Sequence, residues 1–296
     1  MSLNKEKRVH RLMRRLASSF LMLSLLAGAM GFPPGAKAAE ATTHCESNIG
    51  SPADLKVSER GLMPGYLEPA SLPDSLRLAA PPPTEGSAEF ALDKAVSEAT
   101  FPRRNTSRWA LAARDADLHF PAAASVFSCV MGVEISKAET PRLYTLLQRT
   151  LTDAGLSTYR AKNHYQRPRP FMGNGQPICT PDDEEGLTTD GSYPSGHTAV
   201  GWAWALILSE IVPTQMEQIL QRGLEYGKSR NICNVHWHSD VQAGRLLGTA
   251  TVAQLHADPV FRADLRAAAA EVASQQQRHA RPDSGYCALE RSALKP

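Results

Sequence analysis

Three short stretches of this chain carry residues that could together move a phosphoryl group. The first holds Lys162 and Arg169, the second is Pro194-Ser195-Gly196-His197, and the third holds Arg230, His236 and Asp240. A lysine offers a point charge and an arginine a planar fork of donors, which suits the equatorial oxygens of a phosphoryl group. An imidazole steadied by a carboxylate is an activated nucleophile, and fixed cations around it stabilise the charge that develops on attack. No spacing among these residues matches a metal site, so neither a metal nor a cofactor is expected.

In the second stretch a glycine sits at the mouth of a helix. The amides of Ser195, Gly196 and His197 are expected to point free there, the Ser195 hydroxyl can donate, and the helix macrodipole favours an anion. His197, beside that anion site, is placed to protonate a leaving alcohol. In the third stretch His236 and Asp240 stand four apart, which puts them on one face if the segment is helical. The carboxylate would hold one ring nitrogen and leave the other lone pair aimed at phosphorus. His238 is two residues from His236, a spacing that turns side chains apart on a helix, so no shared metal is expected. Each stretch alone has a plainer reading: basic residues on a solvated surface, a Ser-Gly cap, an ordinary helical ion pair. Their joint presence between Lys162 and Asp240 favours the functional one.

The elements that must position these residues read as helices. After Ser87, Phe90, Ala91, Ala95 and Val96 recur at helical spacing. Thr140-Pro141 reads as an N-cap and first-turn pair ahead of Leu143, Leu146, Leu147 and Leu151. Ser195 or Thr198 caps the apolar run 199–208, about half of the roughly 20 residues a membrane span needs, so the run is read as a buried core helix. Further helices are expected over 216–226 and 235–256, and from Asp258-Pro259 to about Ser274. Residues 171–193 hold four glycines, two prolines and the acidic run 182–185, which marks a loop that should rim the site. Strand signals are almost absent, so the expected fold is all-α, a single compact helical domain.

The ends of the chain differ from its middle. Lys5, Lys7, Arg8, Arg11, Arg14 and Arg15 precede the apolar stretch 16–32, and Ala36-Lys37-Ala38 matches a cleavage site, so residues 1–38 read as a secretory signal peptide. Removing its seven Lys/Arg and one acid turns the formal charge of +2 into −4, and no nucleic-acid surface is indicated. The remaining boundaries are an irregular Pro- and Ser-rich arm over 39–85, a helical domain over 86–275 and a tail over 276–296. The chain has five cysteines, Cys45, Cys129, Cys179, Cys233 and Cys287, an odd number that cannot all pair internally. Export permits disulfides, and two bridges are expected with connectivity left open.

Taken jointly, Lys162 with six residues before Arg169-Pro170, then Pro194-Ser195-Gly196-His197, then Ser229-Arg230 followed by His236 and Asp240, resemble the signature of the type 2 phosphatidic acid phosphatase (PAP2) superfamily. Eleven identities in fixed order, each at a background of about 5%, leave little room for coincidence. The flanking Gly191-Ser192-Tyr193 and Ser239-Asp240-Val241 look closest to bacterial class A non-specific acid phosphatases, and the resemblance runs from about Pro81 to Ala273. It implies the all-helical fold shared with vanadium haloperoxidases. It also implies attack by His236 to form a phosphohistidine, orientation by Asp240, and protonation of the leaving group by His197. Lys162, Arg169, Ser195, Gly196, His197 and Arg230 would hold the phosphoryl oxygens. Water would then release phosphate, or another alcohol would accept it. The resemblance favours a homo-oligomer acting on small phosphomonoesters; the leader implies a periplasmic location, and the shortness of the apolar run after it implies no membrane contact once the signal is cleaved. His238 departs from the pattern, since related phosphatases often carry glutamine there, and the cysteine set differs too.

Two other functions use the same residues: a vanadate-dependent haloperoxidase with His236 as axial ligand, and an exported phosphate-binding module without turnover. A working phosphatase needs His236 neutral and His197 protonated, so their pKa values should be pushed apart. Activity is then expected to peak at about pH 5 to 6.5.

Overall fold

A computed structural model describes residues 62–278, 282 and 284–295 of the chain. The export signal read over 1–38, the first part of the arm and Cys45 lie outside the described residues. The described elements are helical and include no strand. They run α1 (Ser75–Leu78), α2 (Ala88–Ala99), α3 (Ser107–Arg114), α4 (Ser128–Met131), α5 (Pro141–Leu156), α6 (Tyr159–Tyr165) and α7 (Pro170–Asn174). They continue with α8 (Glu184–Thr189), α9 (Gly196–Ile211), α10 (Met216–Ile232), α11 (His238–Leu255), α12 (Pro259–Gln277) and α13 (Ser284–Ala293). No helix among the described residues is long and apolar enough to cross a membrane.

The apolar run 199–208 forms α9, and α5, α10, α11 and α12 pack around it. Ala203, Trp204, Ile207 and Leu208 are fully buried, and the Trp204 indole N–H donates to the Leu147 carbonyl at 3.1 Å. From α5, Leu143, Leu146, Leu147 and Leu151 face this core as their spacing predicts, each burial contributing about 1.5–3 kcal/mol. Two glycines of α11 let it approach α9 backbone to backbone: a Cβ on Gly244 or Gly248 would lie 2.5 Å from the carbonyl oxygens of Ser195 and Ala199. This close crossing brings the first turns of α9 and α11 together, and the Ser195 amide donates to the Asp240 carbonyl at 3.0 Å.

Some local expectations are corrected by long-range partners. Thr140 precedes α5, but its hydroxyl is turned to Glu134 O and Ser136 O rather than capping the helix. The first amides of α5, on Arg142 and Leu143, instead donate to the Glu271 carboxylate of α12 at 3.0–3.1 Å. On α2, Ala91 and Ala95 are exposed, and the inward face carries Asp93 and Ser97 beside half-buried Phe90. Charged partners elsewhere in the chain draw Asp93 inward against the hydrophobic pattern.

Two disulfides form, Cys129–Cys287 and Cys179–Cys233. The first ties α13 to α4, so the segment read as a tail carries a helix held to the core. The second joins the rim loop to the end of α10, beside the third motif. The described part of the arm is also fastened: the Tyr66 and Leu67 amides donate to the Asp153 carboxylate at 2.9 and 3.1 Å, and Thr152 Oγ1 donates to Met63 O at 2.7 Å.

Candidate active site

Every motif residue sits at or near a helix end, and these ends meet on one side of the bundle. Lys162 lies on α6, Arg169 just ahead of α7, Ser195 at the N-cap of α9 with Gly196 and His197 in its first turn, and Arg230 in the last turn of α10. His236 lies in the connection to α11, and Asp240 in the first turn of α11. A cavity of about 210 Å³ is lined by Lys162, Arg169, Asp190, Gly196, His197 and His236, with leucines 62, 118, 151, 156 and 187 on its remaining wall. Arg230 and Ser195 are more deeply buried and are not on that wall. A larger cavity of about 620 Å³, with Phe90, Phe101 and Trp237 on its wall, shares only Arg169 among the motif residues, so the smaller one is the candidate site.

His236 is 3% exposed. Its Nδ1 lies 3.4 Å from Asp240 Oδ2, and its Nε2 lies 3.2 Å from Arg169 Nη1. The pair does not share a helix face as the spacing suggested. Asp240 Oδ2 accepts from the Trp237 amide at 2.8 Å, and this cap makes Trp237 the extended residue ahead of α11, leaving His236 outside it. The juxtaposition of ring and carboxylate survives by a different route. With a carboxylate on Nδ1, the neutral ring carries its proton there and presents the Nε2 lone pair.

The cations differ in how they are satisfied. Lys162 Nζ donates to Gly191 O at 2.6 Å and Asp190 Oδ2 at 3.2 Å, and Arg169 Nη2 reaches the same Asp190 oxygen at 3.0 Å. Arg169 Nε also meets Leu187 O and Asp190 O, so the rim loop holds this guanidinium in place. Arg230 is only 1% exposed, yet its Nε and Nη1 have no hydrogen-bond partner. Burial pulls its pKa down to about 10, which still leaves a cation at neutral pH. Leaving such buried donors unpaired is costly, and a buried guanidinium is ordinarily matched by an anion.

At the α9 entrance, Ser195 Oγ accepts from Thr198 N at 3.3 Å and from Thr198 Oγ1 at 2.9 Å. Its own O–H therefore remains to donate. The Ser195 amide is committed to Asp240 O, so of the three amides expected to be free only those of Gly196 and His197 lack a helical acceptor. His197 Nε2 is 2.9 Å from the Ala116 carbonyl, which makes Nε2 the protonated nitrogen of the neutral ring.

The two histidines are not pushed apart. Burial, then Arg230, holds His197 well below the usual range; burial, then Arg169 and Lys162, does the same to His236. The expectation of diverging pKa values left out burial, which is the first cause for both rings. Asp240 is fully buried, which raises its pKa, and Arg167 is the main opposing influence.

Asp190, Arg167 and Asp93 were given no role from sequence. Asp190 stands four residues ahead of Pro194, and nothing in the sequence ties its charge to Lys162 and Arg169. Arg167 Nη1 donates to Asp240 Oδ1 at 2.6 Å, and Nη2 to Asp93 Oδ2 at 2.7 Å. Nothing local marks Asp93, which lies on α2 far from the motifs. Among the described residues, no group of three or more His, Cys, Asp and Glu is arranged to hold a metal ion.

The PAP2 superfamily model matches residues 143–262, which include every motif position. An acid phosphatase from Zymomonas mobilis is 43% identical over 220 residues, covering 74% of this chain and 83% of that protein. A non-specific acid phosphatase from Providencia stuartii is 46% identical over 209 residues, with 70% and 84% covered. One from Salmonella typhimurium is 40% identical over 186 residues, with 62% and 74% covered. With a superfamily match across all three motifs and relatives this similar over most of their length, the chain belongs to the class A non-specific acid phosphatases of the PAP2 superfamily.

Proposed function

We propose that this protein is an exported acid phosphatase that hydrolyses phosphate monoesters through a phosphohistidine on His236. The observation that carries the reading is Arg230, a buried guanidinium with two unpartnered nitrogens in the last turn of the helix that leads to an imidazole–carboxylate pair. Relatives named acid phosphatase support the activity, and the leader-like residues 1–38 support export to the periplasm.

Lys162, Arg169, Arg230, the Ser195 hydroxyl and the amides of Gly196 and His197 hold the phosphoryl oxygens. His236 Nε2 attacks phosphorus while Asp240 keeps the proton on Nδ1 and offsets the charge gained by the ring. With His197 Nε2 bound to Ala116 O, Nδ1 is the nitrogen left to deliver a proton to the leaving oxygen. The phosphoryl dianion raises both depressed imidazole pKa values when it binds, which allows His197 to be protonated in the complex and favours acidic pH. Water attacks the phosphohistidine in the second step, and an alcohol in its place gives phosphotransfer.

The test is release of p-nitrophenol from p-nitrophenyl phosphate by the parent protein, with and without EDTA, and by His236→Ala. Turnover that survives chelation and disappears in the variant is expected. Loss with EDTA removes the metal-free reading. Retained phosphate affinity with no turnover by the parent indicates a binding module, and halide oxidation by peroxide after vanadate addition indicates a haloperoxidase.

A further inference from the structure

The proposed reaction needs Asp240 ionised and aligned, although its carboxyl group is completely buried. We propose that Asp93 of α2 is a positioning residue for this reaction, holding Asp240 through Arg167 and, through Asp240, the imidazole of His236. The inference rests on the phosphohistidine reading above and adds residues that lie outside its motifs.

The geometry is a closed ring of buried Arg167 and Asp93 with half-buried Ser239, and Arg167 joins it to buried Asp240. Arg167 bridges the two carboxylates, 2.6 Å to Asp240 and 2.7 Å to Asp93, with exposures of 7%, 0% and 1% for the three side chains. Asp93 also accepts from the Ser239 amide at 2.7 Å and its hydroxyl at 2.6 Å, and Arg167 Nη1 donates to Ser239 Oγ at 2.7 Å. The Arg167 guanidinium lies 6.0 Å from the Phe90 ring and 5.4 Å from the Trp237 ring, within cation–π range of both. Charge-assisted bonds this short, in a buried setting, fix orientation as well as charge.

Charge arithmetic explains why a second carboxylate is present. Without Arg167, burial would push the Asp240 carboxyl further up and favour its uncharged form, which offers His236 no negative charge. With Arg167 alone, the guanidinium would cancel the field of Asp240 at the imidazole. Asp93 restores a net negative cluster, so the positive charge developing on His236 during attack meets an anion. The charged and titratable groups facing Asp240 are His236, Arg167 and Arg169 from the connecting segments, Lys162 from α6, Tyr193 ahead of α9 and Asp93 beyond Arg167.

The experiment compares the full-length parent with Asp93→Asn, Arg167→Met and Ser239→Ala. It reads kcat and kcat/KM for p-nitrophenyl phosphate against pH, the inhibition constant of inorganic phosphate, and the thermal unfolding midpoint. Asp93→Asn is expected to lower kcat about tenfold while phosphate inhibition stays within about twofold, since Asp93 touches none of the cage cations. Its acid limb should move to lower pH, because the charge of Arg167 is no longer shared. Arg167→Met should move that limb the other way, because Asp240 loses its cation. Ser239→Ala keeps all charges and should lower kcat less, with the limb in place. If Arg167→Met does not fold, the contrast between Asp93→Asn and Ser239→Ala decides the matter. Limbs that stay fixed while only the unfolding midpoint falls would overturn the inference and leave the phosphatase intact. A parent without turnover would overturn both.

Discussion

Arg222 and Arg230 lie about two turns apart on the same helix, both buried, at 2% and 1% exposure, and their surroundings differ completely. Arg222 donates to both oxygens of Asp115 and to Glu290 Oε2. Burial pulls its pKa down, but Asp115, Tyr286 and Glu290 together hold it well above its ordinary value. Arg230 has no carboxylate on Nε or Nη1, and burial lowers its pKa to about 10. Arg222 is a closed structural joint, whereas Arg230 keeps two buried nitrogens without a hydrogen-bond partner. The sequence alone does not tell the two arginines apart.

Exchanging each arginine for methionine should separate fold from chemistry. Arg222→Met leaves Asp115 buried without its cation, so a loss of about 3–5 kcal/mol is expected in urea unfolding, with near-normal kcat in the molecules that remain folded. Arg230→Met should lower kcat/KM about 10²–10³-fold, the scale of one lost oxyanion donor, while the unfolding midpoint stays level or rises. An Arg230 variant as unstable as the Arg222 one would erase the contrast.

Ligand and pH sharpen the comparison further. Inorganic phosphate at 100 times its dissociation constant should stabilise the parent by about 2.7 kcal/mol and leave Arg230→Met nearly unmoved. The sign of the pH effect follows from the two histidines. Their folded pKa values lie below 6.5, so the unfolded chain binds more protons, and the fold loses stability as pH falls through that region. Phosphate bound as proposed would raise both, so its stabilising effect, read as the shift in unfolding midpoint, should be larger at pH 5 than at pH 8. The smallest effect is expected far from the site: Glu271→Ala removes the remote cap of α5 and should cost about 1 kcal/mol without changing kcat.

Much of this arrangement was legible where the signal is local. The apolar run after Ser195 gives α9 because cap and pattern agree, and Asp258-Pro259 opens α12 for the same reason. Lys162, Arg169, Gly196, His197 and His236, named from three separate motifs, line one cavity because chemistry restricts which residue types such motifs can hold. What escaped were interactions closed by distant chain. The inward face of α2 carries Asp93 because Arg167 and Ser239 receive it, and α5 is capped by Glu271 rather than by Thr140. His236 and Asp240 were paired correctly, but a capping bond to Trp237 set the start of α11 after the histidine. Periodicity reports the faces of helices and says little about which ends meet.

Phosphorylation of His236 during turnover is the step on which the proposed mechanism stands. A phosphorus–nitrogen bond to imidazole breaks in acid and survives base, so the protein should be mixed with phosphorus-32-labelled substrate, quenched in alkali, digested and mapped. Base-stable label on the peptide carrying His236, absent from His236→Ala, is the predicted result. Turnover with no base-stable label, or label on any other residue, would contradict the account.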